Sequence, residues 1–379
     1  MLRPVVLALS LAAAACPAPP GPDAGPAPVH TAVQVSDGGA TVAVAVPDDA
    51  TAALVHVSGA PRDTRIALGS WDTRGGVLAT ADAGRAVTLA EMEWSAGTGL
   101  GLWGPCRTRP GWGAVAFGCP DGPAADFPAG KHVLTFRVEH VPDDGGVTPW
   151  SGVLDVQAVF AAAPPARDRV LDVRLHLHQA TGLPDDNDVT HPWLLRTLDH
   201  ARGVWAQAGI VLRFARVTSS RSELVLPLPS LRSAQLEDLA ATLPEGTAVD
   251  VVVLERLAVS TPGTGETEVP SMVTSLPLAA GMGTVASLVL IRADWRADNV
   301  QAHERTGLLL AHELGHALGL FHPVEASASD GSFVVDPLPD TPEDDASARV
   351  NLMHRDPVAT SLALTPMQRV VAHRSPFLR

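Results

Sequence analysis

The sequence predicts two folded units, an all-β domain followed by a mixed α/β domain. Residues 30–161 carry short alternating apolar and polar stretches separated by Gly, Pro and Asp clusters, a pattern typical of a β-sandwich or jelly roll. From residue 170 onward, strand-like runs alternate with two longer stretches of helical period, which favours an α/β arrangement. The 379 residues, 46% of them apolar, are enough to build two separate cores.

The first 16 residues have the features of an export signal. Arg3 supplies a positive start, and the apolar run at 5–15 is too short to span a bilayer. Cys16 follows a run of alanines, which resembles a bacterial lipobox in which the cysteine is acylated; an ordinary cleaved signal peptide is the alternative. Residues 17–29 are rich in Pro and Gly and predict an extended tether. We therefore expect an exported protein, secreted or held in the cell envelope, with membrane contact only through a lipid on Cys16.

Charge and cysteine content narrow the function classes. The net charge is −14 and no basic cluster is present, which argues against nucleic-acid binding because that requires positive charge to displace counterions. After Cys16, the chain contains Cys106 and Cys119. A disulfide between them is the default expectation in an exported protein. Closing this short loop would contribute roughly 3 kcal/mol on a chain-entropy argument.

Individual elements follow from the local periodicity. In the first domain the clearest strands are 41–46, 52–57, 132–138 and 153–160, and residues 162–168 (AAPPARD) form a predicted linker. The second domain opens with a strand at 170–178 and a helix at 193–208 that Gly209 is placed to end. The remaining predicted elements are strands at 210–214, 250–254 and 287–291 and a helix at about 300–319.

Residues 312–322, HELGHALGLFH, carry the strongest functional signal. On a helix, positions four apart lie on one face, so His312 and His316 can reach the same metal ion. Glu313 lies at the edge of that face, where it can take a proton from an activated water without binding the metal. Gly319 can end the helix in the left-handed conformation and bring His322 back as a third ligand. Three protein ligands leave one position open, which is typical of catalytic zinc.

These residues resemble the metzincin family of zinc peptidases. The extended motif HExxHxxGxxH matches at all its fixed positions. Met353, in the segment Asn351-Leu352-Met353, matches the methionine that the family places in a turn beneath the zinc. The resemblance covers about 170–379, and 340–342 (DTP) and 364–368 (LTPMQ) are most similar to the pappalysin-like branch. It implies a zinc endopeptidase acting on a protein or peptide, with Glu313 as general base.

One position departs from the family pattern. Many metzincins carry a tyrosine two residues after the turn methionine, where it helps to bind the tetrahedral intermediate, but this chain has no tyrosine and has Arg355 there. Our hypothesis is that Arg355, or the preceding His354, stabilises the oxyanion instead. The alternative is that both are loop residues and that zinc alone serves the oxyanion.

The segment between the third histidine and the turn methionine is acidic. Its carboxylates, separated by Gly and Pro, could hold a calcium ion, although no fixed calcium-loop spacing is present and a solvated acidic loop is the competing interpretation. The residues concerned are Asp330, Asp336, Asp340, Glu343, Asp344 and Asp345.

Two other functions remain open from the sequence. The chain could be a cell-surface binding or adhesion lipoprotein whose protease domain is degenerate, although the retention of Glu313 argues against degeneracy. Alternatively, residues 30–161 could be a prodomain in which the Cys106 thiolate caps the zinc. A prodomain of this kind predicts a free thiol, whereas the β-domain interpretation predicts a Cys106–Cys119 disulfide.

Overall fold

The computed structural model describes most of the chain from residue 29 onward. Predictions for the signal segment, the tether up to residue 28, the linker at 163–168 and Cys119 lie outside the described residues, and with Cys119 so does the proposed disulfide. The described ranges are 29–58, 64–73, 76–80, 106–109, 114–118, 129–140, 146–162, 169–178, 191–219, 221–227, 234–243, 248–261, 263–273, 288–292, 299–326, 333–336, 338, 340–375 and 377–379.

The N-terminal part consists of two antiparallel sheets. One sheet has the strand order β1-β10-β3-β7-β6 and the other β2-β8-β4-β5, with β9 paired to β8. The strands are β1 Val29–Val35, β2 Gly39–Val46, β3 Ala50–Ser58, β4 Thr64–Thr73, β5 Gly76–Thr80, β6 Cys106–Arg109, β7 Ala114–Gly118, β8 Gly130–His140, β9 Thr148–Pro149 and β10 Gly152–Ala162.

Alternation along each strand builds the core between these sheets. In β2, Val42 and Val44 are buried while Thr41 and Ala43 face outward, because successive side chains of a strand point to opposite sides. Valines, leucines and alanines from both sheets join in one buried apolar cluster. The alternation agrees with the period-two pattern of the sequence, and a separate sandwich or jelly-roll domain stays a prediction.

The C-terminal part is built on a second five-stranded sheet. Its order is β12-β11-β14-β18-β17; the first four strands are parallel, and β17 pairs antiparallel with β18 at the edge. The elements are β11 Arg169–His178, α1 Pro192–Ala206, β12 Ile210–Ser219, β13 Glu223–Pro227, α2 Ala234–Ala240, β14 Val249–Leu254, β15 Arg256–Thr261, β16 Gly265–Glu268, β17 Ser271–Val273, β18 Leu288–Arg292, α3 Val300–Ala317, β19 Val324–Ala326, β20 Phe333–Val335, α4 Asp345–Ala348 and α5 Pro366–His373.

The central sheet is covered on both faces, which explains its apolar strands. Val251 of β14 packs in the cluster that contains α1 and α3, whereas its neighbour Val252 packs in the cluster formed by α2 and the small sheet β13-β15-β16. The two long helices approach each other closely at Gly307, where a Cβ would lie 2.5 Å from the Thr197 carbonyl oxygen. Trp205 of α1 donates a hydrogen bond of 3.0 Å from its indole to the Ala311 carbonyl of α3.

The mixed α/β class expected from the sequence is confirmed, while the domain limits stay predictions. The predicted helices at 193–208 and 300–319 correspond to α1 and α3, each ending about two residues earlier than expected. The small unit of α2, β13, β15 and β16 and the short helices α4 and α5 were not predicted. No helix in the described ranges is long and apolar enough to cross a membrane.

Candidate metal and catalytic site

The site is organised by helix α3. The Asn299 side chain accepts a hydrogen bond of 2.9 Å from the backbone N–H of Gln301 and caps the start of the helix. At the other end Gly319 adopts a φ of 90°, the left-handed conformation that glycine enters at low cost. Leu320 N then donates to Gly315 O at 2.9 Å and Gly319 N donates to His316 O at 3.0 Å, the two bonds of a Schellman motif. This turn reverses the chain just before His322.

The three predicted ligands are brought together by this geometry. The Nε2 atoms of His312 and His316 lie 3.1 Å apart, and His322 Nε2 lies 3.2 Å from His312 Nε2 and 3.1 Å from His316 Nε2. His312 and His316 are buried and His322 is half-buried. Among the described residues, these three form the group of His, Cys, Asp or Glu side chains that could hold a metal ion.

The chemistry of this donor set fits a divalent metal. The Nδ1 atoms of His312 and His316 each lie 2.8 Å from a carbonyl oxygen, of Leu352 and Leu320 respectively, so each ring donates there and turns an Nε2 lone pair inward. Lone pairs converging at such distances repel one another unless a cation lies between them. A tetrahedral zinc site with bonds of ~2.0–2.1 Å separates its ligand atoms by about 3.3 Å, close to the spacing seen here.

The electrostatic environment keeps His312 neutral. Burial, followed by the nearby rings of His322 and, more weakly, His354, lowers the pKa of His312 to about 3, partly offset by the Leu352 carbonyl. A neutral imidazole is the form that binds a metal. Proton competition at this ligand is therefore weak at neutral pH.

Glu313, the predicted base, is buried next to these histidines. Its side chain is buried at 4% exposure, and burial raises its pKa to about 7, opposed by a hydrogen bond from the Ser271 hydroxyl and by the nearby His322. Its Oε2 atom is buried with no hydrogen-bond partner among the described residues. A buried carboxylate oxygen without a partner, one residue from a metal ligand, is suited to accept a proton from a bound water.

Met353 lies directly beneath the helix, as expected from the resemblance. It is 0% exposed, and a Cβ added at Gly315 would lie 2.3 Å from its Sδ atom. The turn that presents it is held by Asn351, whose side chain accepts from the Met353 amide at 2.8 Å and donates to Gln368 Oε1 at 2.8 Å. Gln368 belongs to the capping box of α5, so the LTPMQ segment helps to fix the methionine turn.

Arg355 and His354 are both engaged with acidic residues. Arg355 NH2 lies 3.4 Å from Asp345 Oδ1, and its Nε lies 3.6 Å from Asp356 Oδ2. His354 is buried, with Nε2 3.3 Å from the same Asp345 oxygen and Nδ1 3.0 Å from the Asp356 carbonyl. Asp345 thus holds both candidate oxyanion donors, and their role in the reaction stays a prediction.

The acidic segment is largely used to fix the backbone. Asp340 accepts from the Thr365 hydroxyl and the Met367 amide, both at 2.8 Å, at the start of α5. Asp344 caps α4 by accepting from Ser347 N at 2.9 Å. Asp330 lies outside the described residues. Calcium binding by this segment stays an untested prediction.

The known proteins that match this chain are solved structures. No protein-family model matches the sequence, and no curated protein matches it. A chain from the structure of a chaperone–substrate complex matches 49% of this chain and 29% of its own length, at 11% identity and a TM-score of 0.25. Metalloproteinase-II from Bacteroides fragilis matches 42% of this chain and 45% of its own, at 14% identity and a TM-score of 0.21. The chain thus spans less than half the length of each, and such TM-scores carry no argument for a shared fold or activity.

Three features of the site were missed from the sequence. The contact between Ser271 and Glu313 joins residues far apart in the chain, and no sequence motif predicts it. The close approach at Gly315 had a usable signal, since a glycine inside a helix is disfavoured and often marks such a contact. The pairing of Asp345 with His354 and Arg355 depends on the fold of the acidic segment, which has no regular period.

Proposed function

We propose that residues 170–379 form a zinc-dependent endopeptidase of the metzincin type, most similar to the pappalysin-like branch. The observation that carries this proposal is the convergence of three histidine Nε2 atoms beside a buried glutamate. A purely structural zinc site is normally closed by four protein ligands, whereas three ligands beside a potential base favour catalysis.

In this proposal, His312, His316 and His322 hold zinc, which when bound supplies Lewis-acid activation of a water molecule and of the scissile carbonyl. Glu313 takes the proton at Oε2, the oxygen that has no partner among the described residues, and returns it to the leaving amine. Burial raises the pKa of Glu313 to about 7 in the metal-free protein, and it places the carboxylate in the low-dielectric surroundings that favour proton transfer.

In this proposal Arg355 is the positive donor to the oxyanion, with His354 as the alternative. The guanidinium is half-buried and oriented by Asp345 and Asp356, and an arginine has five N–H donors, so these two contacts do not occupy it fully. Fixed donors are more effective than mobile ones at stabilising developing negative charge.

The proposed substrate is a protein or peptide bound in an extended conformation. Strand β17 lies at the edge of the sheet, next to α3, and in the described part of the chain it pairs only with β18. An extended peptide could add to its free side through backbone hydrogen bonds. Residues 274–287, which follow β17 in the chain, lie outside the described residues.

Metal analysis and peptide cleavage test the proposal together. The purified chain should bind one zinc per molecule, and its hydrolysis of a peptide library should disappear with a chelator and return with added zinc. His322→Ala should weaken zinc binding and activity in parallel, because it removes one of the three ligands. Full activity in the metal-free protein would contradict the proposal.

Export and lipid attachment at Cys16 are proposed on the sequence alone. A cell-surface binding role with a degenerate protease domain remains the alternative function. Labelling of the wild type, but not of Cys16→Ser, with a fatty-acid analogue would support the anchor. Thiol titration separates a β-domain closed by a disulfide from a prodomain with a free Cys106.

A further inference from the structure

The edge strand next to the zinc helix has one polar position on an apolar face. In β17, Met272 packs in the cluster on one face of the sheet, and Val273 packs in the cluster that contains α3. Ser271 is two residues from Val273 and therefore points to the same side as Val273, toward α3. Its cross-strand partner is Ile291, which is buried in the α3 cluster. A serine here places a hydroxyl where an apolar side chain would be expected.

The hydroxyl of Ser271 has a specific partner, the carboxylate of Glu313. Oε2 of Glu313 has no hydrogen-bond partner among the described residues, so we assign the bond from Ser271 to the other oxygen, Oε1. The two oxygens of the carboxylate are therefore distinguished: one is held by the sheet, and the other is available for chemistry.

We propose that Ser271 is a positioning residue for Glu313, holding Oε1 so that Oε2 is presented for proton transfer. This inference rests on the proposed function of the site. It links the substrate edge to the catalytic base, because the strand that would receive the peptide also orients the glutamate. Partners of this kind around metal sites typically contribute roughly 10- to 100-fold to activity.

Matched substitutions at Ser271 test this role. Ser271→Ala removes the hydroxyl with little change in volume, and Ser271→Thr keeps it on a residue that favours strands. We expect Ser271→Ala to lower kcat roughly 10- to 100-fold with KM and bound zinc little changed, and Ser271→Thr to restore most of kcat. A structural role alone would reduce zinc content or stability and would not be rescued by the hydroxyl.

Three results would overturn the inference. The first is a kcat of Ser271→Ala equal to that of wild type, and the second is an effect of Ser271→Ala on KM alone. The third is a kcat of Ser271→Thr as low as that of Ser271→Ala. Wild-type protein and Glu313→Gln are assayed alongside. If the wild type is inactive, or if Glu313→Gln has the same activity as the wild type, the proposed function fails and the inference fails with it. If the wild type is active and Glu313→Gln is not, the result for Ser271 tests the inference alone.

Discussion

Replacing Gly315 by alanine should strain the contact between helix α3 and the methionine turn. The new Cβ would lie 2.3 Å from Met353 Sδ and 3.0 Å from its Cε, whereas non-bonded heavy atoms pack at about 3.5–4.0 Å. Met353 must therefore retreat by roughly 1 Å, yet it is 0% exposed and surrounded by core residues. Overpacking of this kind costs about 1–3 kcal/mol. Alanine also favours the helix by about 1 kcal/mol, which offsets part of that cost.

A matched control separates these two contributions. A Cβ at Gly203 in α1 would have no atom within 4 Å, so Gly203→Ala gains helix propensity without a clash. We expect the metal-free Gly315→Ala protein to be less stable than Gly203→Ala by roughly 1–3 kcal/mol in urea unfolding followed by fluorescence. Adding Met353→Ala should remove the penalty for Gly315→Ala. Equal stability of the two glycine variants, with unchanged zinc affinity, would refute the proposed packing of Met353 beneath the zinc helix.

Three further predictions concern the site itself. Burial raises the pKa of Glu313 from 4.5 to about 7, so the folded state favours the protonated acid. The contribution of Glu313 to folding stability is therefore full below pH ~4.5 and is lost as the pH rises through 7. The metal-free Glu313→Gln protein should thus become more stable than metal-free wild type by about 3 kcal/mol above pH 7, as measured by urea unfolding. A stability difference between the two proteins that does not change with pH would contradict this. Gly319→Ala should lower the free energy of unfolding by about 1–2 kcal/mol, because φ is 90° at this position. Zinc binding, measured by chelator competition, should also weaken because His322 shifts. An unchanged zinc affinity would show that this turn does not position His322. Arg355→Ala should lower kcat by roughly 100-fold in peptide hydrolysis, and an unchanged kcat/KM would exclude Arg355 as the oxyanion donor.

The sequence was most informative where local rules apply. The spacing of His312 and His316 on one helix and the glycine at 319 determine the ligand geometry, because helix periodicity and left-handed backbone are properties of a few neighbouring residues. The apolar strands at 250–254 and 288–292 could be recognised for the same reason. These strands are covered on both faces, and continuous apolar runs are typical of such strands.

Long-range pairing could not be predicted in the same way. The Ser271 bond to Glu313 and the packing of Met353 on Gly315 join segments separated by about 40 residues. The small sheet with β13, β15 and β16 was missed because its strands are short, and β16 is exposed along its whole length. An exposed strand such as β16 lacks the alternation that a buried face imposes.

Peptide hydrolysis by the zinc-loaded wild type and by Glu313→Gln tests the central claim most directly. The substitution keeps all three histidines and the size of the side chain, and it removes the negative charge and with it the ability to accept a proton. The proposed mechanism predicts that both proteins hold one zinc per chain and that only the wild type cleaves internal peptide bonds, as read by mass spectrometry of the products. Equal cleavage by the two zinc-loaded proteins would contradict it.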